Sequence, residues 1–466
     1  MDSGAGASGG SRDPARHARF PRGDRAEMLR SLVPAVQTRC STKCVFPLEA
    51  PWLDPAGLEP QLRSWADLPA DILGVLTCRL PRLDDRARLR SVCRAWRAAA
   101  RLHRPPPPPL PLLVLSDFSF ASFCADGVVA PGTRCVSLPA GKRVAPARDI
   151  RCVGSFEGWL VGVQLNKGRY FGDGRCFLMN AFSRKVICLP PPSMATQFID
   201  AYSKSVPIVN GSGVVHCTVS AAQYVMSFSK VVLSASPDSG SKCVVAAVSV
   251  HRSSAKLALW RPGMTSWCVC HGGCISKFSD IALYQGKLYM FSKLTTNLFV
   301  FEISEDDSGL MVSHVERCVT QLPEVDSKYG QRWNIVEWRG KLLLVVTYLG
   351  SAEGWHNICK IGVFKVDMST TPFRFIAINS LDGDCMFISP CSSKSFQACQ
   401  YDEVEGDRIY FIDGGLNAAK HAPPLDKFVY NIRDDTMGPF AADISEDKLR
   451  PPGGMLMNPT WLFPSE

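Results

Sequence analysis

Metal, phosphate and acyl chemistry each demand particular residues at particular spacings, and two stretches of this 466-residue chain offer candidates. Cys268-Val269-Cys270-His271-Gly272-Gly273-Cys274 gathers three thiols and an imidazole, the soft donors that suit zinc. Yet the run contains no CxxC pair, and alternation along a strand points Cys268 and Cys270 to one face, as packing residues. Gly4-Ala5-Gly6-Ala7-Ser8-Gly9 spells GxGxxG, but no strand pattern leads into it and no helix pattern comes after it, so it forms no dinucleotide cradle. No GxSxG stands at the strand-to-helix turn that a nucleophile elbow requires. There is no HExxH, and the 8 histidines build no triad by spacing. The expectation is a chain with no catalytic residue, no cofactor and no metal.

The more informative residues lie in a basic, helix-forming block. LRSVCRAWRAAARLHRPPPPP (89–109) places a tryptophan and a cysteine among arginines and then runs into five prolines. Upstream, Pro69 suits a first helical position and Asp71 complements the helix dipole, with Ile72, Leu73, Leu76 and Leu80 at helical spacing. Asp84 or Asp85 can cap a second helix, in which Leu89, Val92, Cys93 and Trp96 recur at i, i+3, i+4 and i+7. The block, residues 64–104, is short for an independent core. Pro105 to Pro109, with Pro111, predict a stiff polyproline linker over 105–111.

Charge separates this N-terminal region from the rest of the chain. Residues 1–110 hold 18 Lys and Arg against 11 Asp and Glu, whereas the remainder holds 34 against 32. The large C-terminal part thus lacks the basic excess of a nucleic-acid binder, and no nucleic acid is expected as partner. Residues 1–60 carry Gly, Ser, Pro and Arg without periodicity and predict a disordered basic leader. They have no apolar signal-peptide core, although an Arg- and Ala-rich composition overlaps with organelle transit peptides. No apolar run reaches membrane-spanning length. Nineteen cysteines, an odd number scattered through apolar runs, read as reduced thiols of a nuclear or cytoplasmic protein.

Beyond the prolines the pattern turns to short apolar runs that repeat. SFEGWLVGV (155–163), LYQGKLYMF (283–291), EWRGKLLLV (337–345) and VEGDRIYFI (404–412) each place a polar-Gly turn before a strand. The glycines 158, 286, 340 and 406 stand 128, 54 and 66 residues apart. A period near 60 built from successive antiparallel strands is the signature of propeller blades. Residues 243–250 with 256–270 form a copy without the glycine. PLLVLSD (111–117) with TRCVSLP (133–139) starts a first blade that MLMNPTWLFPS (455–465) closes. The expected domain is an all-β propeller of about six blades over 112–466. Residues 193–229, poorly patterned, leave its blade boundaries open.

Leu68-Pro69-x-Asp71-Ile72-Leu73, followed by Asp85-x-x-Arg88-x-Arg90-x-Val92-Cys93-Arg94-x-Trp96-Arg97, resembles an F-box in order and spacing. The whole chain resembles plant F-box proteins whose C-terminal part is the propeller-like "domain of unknown function 295". Lys230-Val-Val-Leu-Ser-Ala-Ser-Pro237 and Pro459-Thr-Trp-Leu-Phe-Pro464 support that likeness. The resemblance implies a multidomain protein, a small all-α F-box module followed by the propeller. It further implies docking to the adaptor Skp1, through it to cullin in an SCF ubiquitin ligase, and a protein substrate held by the propeller. Leu68, Pro69, Ile72, Leu73 and Leu76 would enter the Skp1 groove. Leu89, Val92, Cys93 and Trp96 would complete the helix packing, some of them at that interface. The alternative is an F-box protein that tethers partners without degrading them.

Overall fold

The computed structural model describes residues 68–80, 83–102, 108–115, 118–123, 129–135, 150–164, 175–190, 206–210, 213, 215–221, 228–251, 254–276, 278–292, 297–306, 309–318, 330–349, 358–413, 426–439 and 459–464. The expected leader, residues 1–60, lies outside them, as do Pro105 to Pro107. No helix among the described residues is long and apolar enough to cross a membrane.

Five sheets supply the six blades of a propeller, blades 3 and 4 sharing one of them, with strands numbered along the chain. Blade 1 holds β1 (Leu112–Val114), β2 (Ser119–Phe123), β3 (Val129–Cys135) and, from the far end of the chain, β27 (Thr460–Leu462). Blade 2 is β4 (Ile150–Phe156), β5 (Trp159–Gln164), β6 (Cys176–Asn180) and β7 (Val186–Cys188). A hairpin, β8 (Val206–Asn210) and β9 (Val215–Ala221), precedes blade 3, which is β10 (Phe228–Leu233), β11 (Val245–His251), β12 (Ser254–Trp260) and β13 (Cys268–Ser276). Blade 4 is β14 (Phe278–Tyr284), β15 (Lys287–Ser292), β16 (Asn297–Asp306) and β17 (Gly309–Arg317). Blade 5 is β18 (Gly330–Trp338), β19 (Lys341–Leu349), β20 (Ile358–Asp367) and β21 (Arg374–Ala377). Blade 6 is β22 (Cys385–Ile388), β23 (Ser393–Phe396), β24 (Arg408–Asp413), β25 (Asp426–Asn431) and β26 (Thr436–Pro439).

Each blade is buried on both faces, which is why its middle strands read as continuous apolar runs. In β19 every residue from Leu342 to Leu349 is buried. Six apolar clusters fill the six junctions. Phe118, Phe120, Leu160 and Phe177 lie between blades 1 and 2, and Trp159, Phe228 and Trp267 between 2 and 3. Phe299 and Phe301 lie between 3 and 4, Phe291 and Trp333 between 4 and 5. Trp338 and Phe411 occupy the 5–6 junction, and Phe387 and Trp461 the 6–1 junction.

Three of the four expected glycine turns join the innermost strand of a blade to the next. Glu157-Gly158, Gln285-Gly286 and Arg339-Gly340 all have positive φ at both positions, the two-residue geometry that matches strand twist. Blade 3 lacks the glycine because a 3-10 turn (Pro237–Lys242) replaces it, with Ser236 accepting the Asp238 N–H. Gly406 departs from expectation. It lies before β24, which runs parallel to β22, so no hairpin turn forms there. Only a glycine fits for another reason: a Cβ would stand 2.7 Å from the Gly383 carbonyl oxygen. Blade 6 is therefore no simple antiparallel meander; β23 pairs back on β22 at its inner edge.

The poorly patterned 193–229 stretch contributes the β8–β9 hairpin, which lies outside the blade count. β9 pairs antiparallel with β13, and β8 pairs parallel with β17, so the outer edges of blades 3 and 4 fuse into one ten-stranded sheet. Two edges that would present unpaired backbone are thereby covered.

Towards the axis the inner strands approach closely. A Cβ added at Gly154 in β4 would stand 2.2 Å from the Val231 carbonyl oxygen in β10. That neighbour is backbone and cannot rotate away. Gly154→Ala is expected to cost about 1–3 kcal/mol, read as a lower denaturant midpoint. An unchanged midpoint would show that β4 and β10 separate freely.

Candidate functional site: a helical docking face and an ion-paired ring

Three short helices precede the propeller: α1 (Ala70–Cys78), α2 (Leu83–Ser91) and α3 (Arg94–Leu102). The single second helix expected to carry Leu89, Val92, Cys93 and Trp96 is broken at Val92-Cys93. Ser91 Oγ donates to the Arg88 carbonyl at 2.7 Å, competing with the helix backbone. Cys93 then accepts the Trp96 N–H on its sulfur at 3.4 Å and so caps α3. Asp84 and Asp85 fall inside the first turn of α2 rather than capping it, and Asp85 pairs with Arg88 at 3.0 Å. Pro69 stands just before α1, with no side-chain cap.

α1 and α2 both pack on α3. The inward set is Leu73, Thr77, Leu89, Trp96, Ala99 and Ala100, all buried. Thr77 satisfies its hydroxyl on the Leu73 carbonyl at 2.7 Å, and the buried Arg86 donates Nε to the Leu80 carbonyl at 2.6 Å. Of the nine residues singled out by resemblance, Leu73, Leu89 and Trp96 thus face the module's own interior. Leu68, Leu76, Val92 and Cys93 are half-buried. Pro69 is exposed, and Ile72 is exposed to 48%. Val75, absent from the expected set, is exposed to 54%. Pro69, Ile72 and Val75 stand three residues apart, which puts them on one helix face. That spacing was the signal available for Val75.

The proline segment is not a free spacer at its described end. Pro109, Leu110 and Pro111 are buried, and Leu110 joins the 6–1 core beside Tyr401. The Tyr401 hydroxyl donates to the Pro108 carbonyl.

On the propeller, ion pairs link neighbouring blades. Buried Asp384 accepts from Trp338 Nε1 at 2.9 Å and from Arg339 Nε at 2.6 Å, tying blade 5 to blade 6. Asp407 accepts from the Leu381 N–H at 2.6 Å, the Ser380 hydroxyl at 3.0 Å and Arg433 Nε. Nearer the axis, Lys230 and Asp280 form a buried pair between blades 3 and 4. Asp280 also accepts the Ile335 N–H of blade 5 at 2.7 Å. Sequence reasoning missed this pair, although Phe228-Ser229-Lys230 and Phe278-Ser279-Asp280 place opposite charges at the same point of two repeats. Both inner strands carry a register shift between the Phe and the charged residue, and such a bulge re-aims a side chain.

The cysteine-rich stretch lies on β13, between β12 and β9. Cys268 and Cys270 pack together against the 3–4 core, and burial pushes the Cys270 thiol up to about 12. Among the described residues no group of three His, Cys, Asp or Glu is placed to hold a metal. The side chains of His271 and Cys274 lie outside the described set.

A helical module followed by a closed propeller defines an F-box and propeller protein, and the comparisons agree. The F-box domain matches residues 65–106, and the KIB1-4 beta-propeller matches residues 129–431. The second match spans well over half the chain, which belongs to the KIB1-4 beta-propeller family. No curated protein matches. Among solved structures, a bifunctional GH43-CE protein from Bacteroides eggerthii is similar at 10% identity and a TM-score of 0.27. The alignment covers 60% of this chain and 30% of that one, a likeness too loose to carry over fold or activity.

Trp96→Ala is expected to destabilise the helical module by about 3–5 kcal/mol. Hydrogen exchange should accelerate across residues 70–102 while the blades keep their protection; exchange that stays slow in the helices would contradict this packing. At Asp407, burial opposes the charged form, but Arg433, the Leu381 N–H and the Ser380 hydroxyl outweigh it and hold the carboxyl below its ordinary value. Its contribution is complete above the unfolded carboxylate range, about pH 4, and is lost as pH falls through the lower folded value. Asp407→Asn should flatten that acid-side loss in a pH series of unfolding midpoints.

Proposed function

We propose that this protein is the substrate receptor of an SCF-type ubiquitin ligase, docking a Skp1-like adaptor through its helices and a target protein through its propeller. One observation carries the reading. The F-box helices bury one apolar set internally and leave a second, Pro69, Ile72 and Val75, facing solvent. Such a face fits an amphipathic helix laid into a partner's groove. Leu68 and Leu76 flank it, while Leu73, Leu89 and Trp96 shape it from beneath. Cullin joins through the adaptor, in the nucleus or cytoplasm.

The receptor contributes no reacting group of its own in this reading. Burial pushes the thiols of Cys152, Cys176, Cys318 and Cys385 well away from the thiolate that a ubiquitin thioester would require. At Pro108 to Leu110 the segment is anchored on the propeller, which gives the link to the helices a fixed starting point.

The double variant Ile72→Glu, Val75→Glu is the direct test. Both side chains are exposed, so the unfolding midpoint should barely move. Affinity for a Skp1-like adaptor should drop roughly thirtyfold or more, as for loss of a hot spot worth about 2 kcal/mol or above. Undiminished adaptor binding by a folded double variant would sink the assigned face.

A further inference from the structure

Around the propeller axis the charges do not cancel: Lys230 and Asp280 are buried, and the half-buried Arg151 adds a second cation. Lys230 of β10 pairs with Asp280 of β14. That carboxylate also accepts N–H groups from Ile281 at 2.8 Å and Ile335 at 2.7 Å, so its acceptor capacity is largely used. Arg151 of β4 donates Nη2 to the Phe228 carbonyl, a neutral partner. Its Nε is closed to solvent and meets no acceptor among the described residues. No carboxylate among them pairs with this guanidinium.

The Cys391 thiol, in the turn between β22 and β23, feels Lys230, Arg151 and Asp280 together. It donates to the Cys152 carbonyl at 3.2 Å, so blade 6 reaches across to blade 2 at this point. Beside it, Ser389, Ser392 and Thr460 bond one another at 3.0 to 3.1 Å. Groups from blades 1, 2, 3, 4 and 6 thus converge on one region holding two cations and one carboxylate. Guanidinium does not escape burial by losing its proton, and burial of a charge without a counter-charge is strongly unfavourable. Lys230 keeps donors beyond the one directed at Asp280, because an ammonium carries three.

We propose that the axis of the propeller binds a small oxyanion of phosphate or sulfate chemistry, held by Arg151 Nε and the ammonium of Lys230. The anion supplies the missing negative charge and the missing acceptor at once. Burial lowers the Arg151 pKa, the direction expected for a cation that lacks its counterion in the empty protein. The site lies inside the ring and does not depend on adaptor docking.

Thermal unfolding of the full chain in rising inorganic phosphate, at ionic strength held constant with chloride, tests this. Wild type should gain on the order of a few degrees once phosphate well exceeds its Kd. Arg151→Gln should lose that response. Cys391→Asp places a carboxylate beside both cations; it should match or exceed the wild-type midpoint without phosphate and ignore added phosphate. A wild-type midpoint indifferent to phosphate, or an Arg151→Gln protein that still responds, overturns the proposal. Should Arg151→Gln fail to fold, Cys391→Asp decides, and a lowered midpoint there counts against the site.

Discussion

Pairing between β27 and β1 is the constraint on which the ring depends. Leu462, Trp461 and Thr460 register against Leu112, Leu113 and Val114, so residues from opposite ends of the propeller segment share one blade. Trp461 is fully buried there, its Nε1 donating to the Ile388 carbonyl at 3.2 Å and its ring set edge-on to Phe387. Ser392 and Ser155 each donate to the Trp461 carbonyl at 2.6 Å, so blades 6 and 2 both grip the closing strand. The chain passes from each blade to the next, from β26 of blade 6 into β27 as well, so the β27–β1 pairing inside blade 1 is the one link of the ring made by strand pairing alone. Six apolar wedges can be buried only when this one non-covalent link is shut, which couples local strand pairing to the integrity of all six.

The helical module faces the opposite problem. Its three helices are too short to cover themselves, and their apolar residues divide into two sets. Trp96, Leu89 and Leu73 hold the helices together; Pro69, Ile72 and Val75 remain uncovered. A module built this way is most stable when something else completes it, and its local stability and its binding are linked through the same few side chains.

Much of this architecture was legible in the residues. Hairpin glycines 158, 286 and 340 announced themselves because a two-residue turn with positive φ admits few alternatives, and buried strands announced themselves as apolar runs. Pro459-Thr-Trp-Leu-Phe-Pro464 pointed to closure. The failures have physical causes. β8 and β9 escaped because they pair with outer blade edges and so share no repeat spacing with the blades. Gly406 resembled the other glycines, but its need is close approach to Gly383 rather than a turn. The stripe from Leu89 to Trp96 looked continuous because spacing does not register a Cys93 thiol that caps a new helix. Lys230 and Asp280 could have been found by aligning the repeats, since opposite charges at one repeat position are the pattern of a pair.

The anchoring of Leu110 beside Tyr401 has a mechanical consequence. A pull on the helical module travels through the prolines and arrives at the 6–1 core, where Leu110, Trp461 and Tyr401 share one cluster. Tension therefore enters the ring beside the β27–β1 pairing, the one link made by strand pairing alone. Under load the propeller would unzip there first, peeling β1 from β27 before any other blade loses its neighbour.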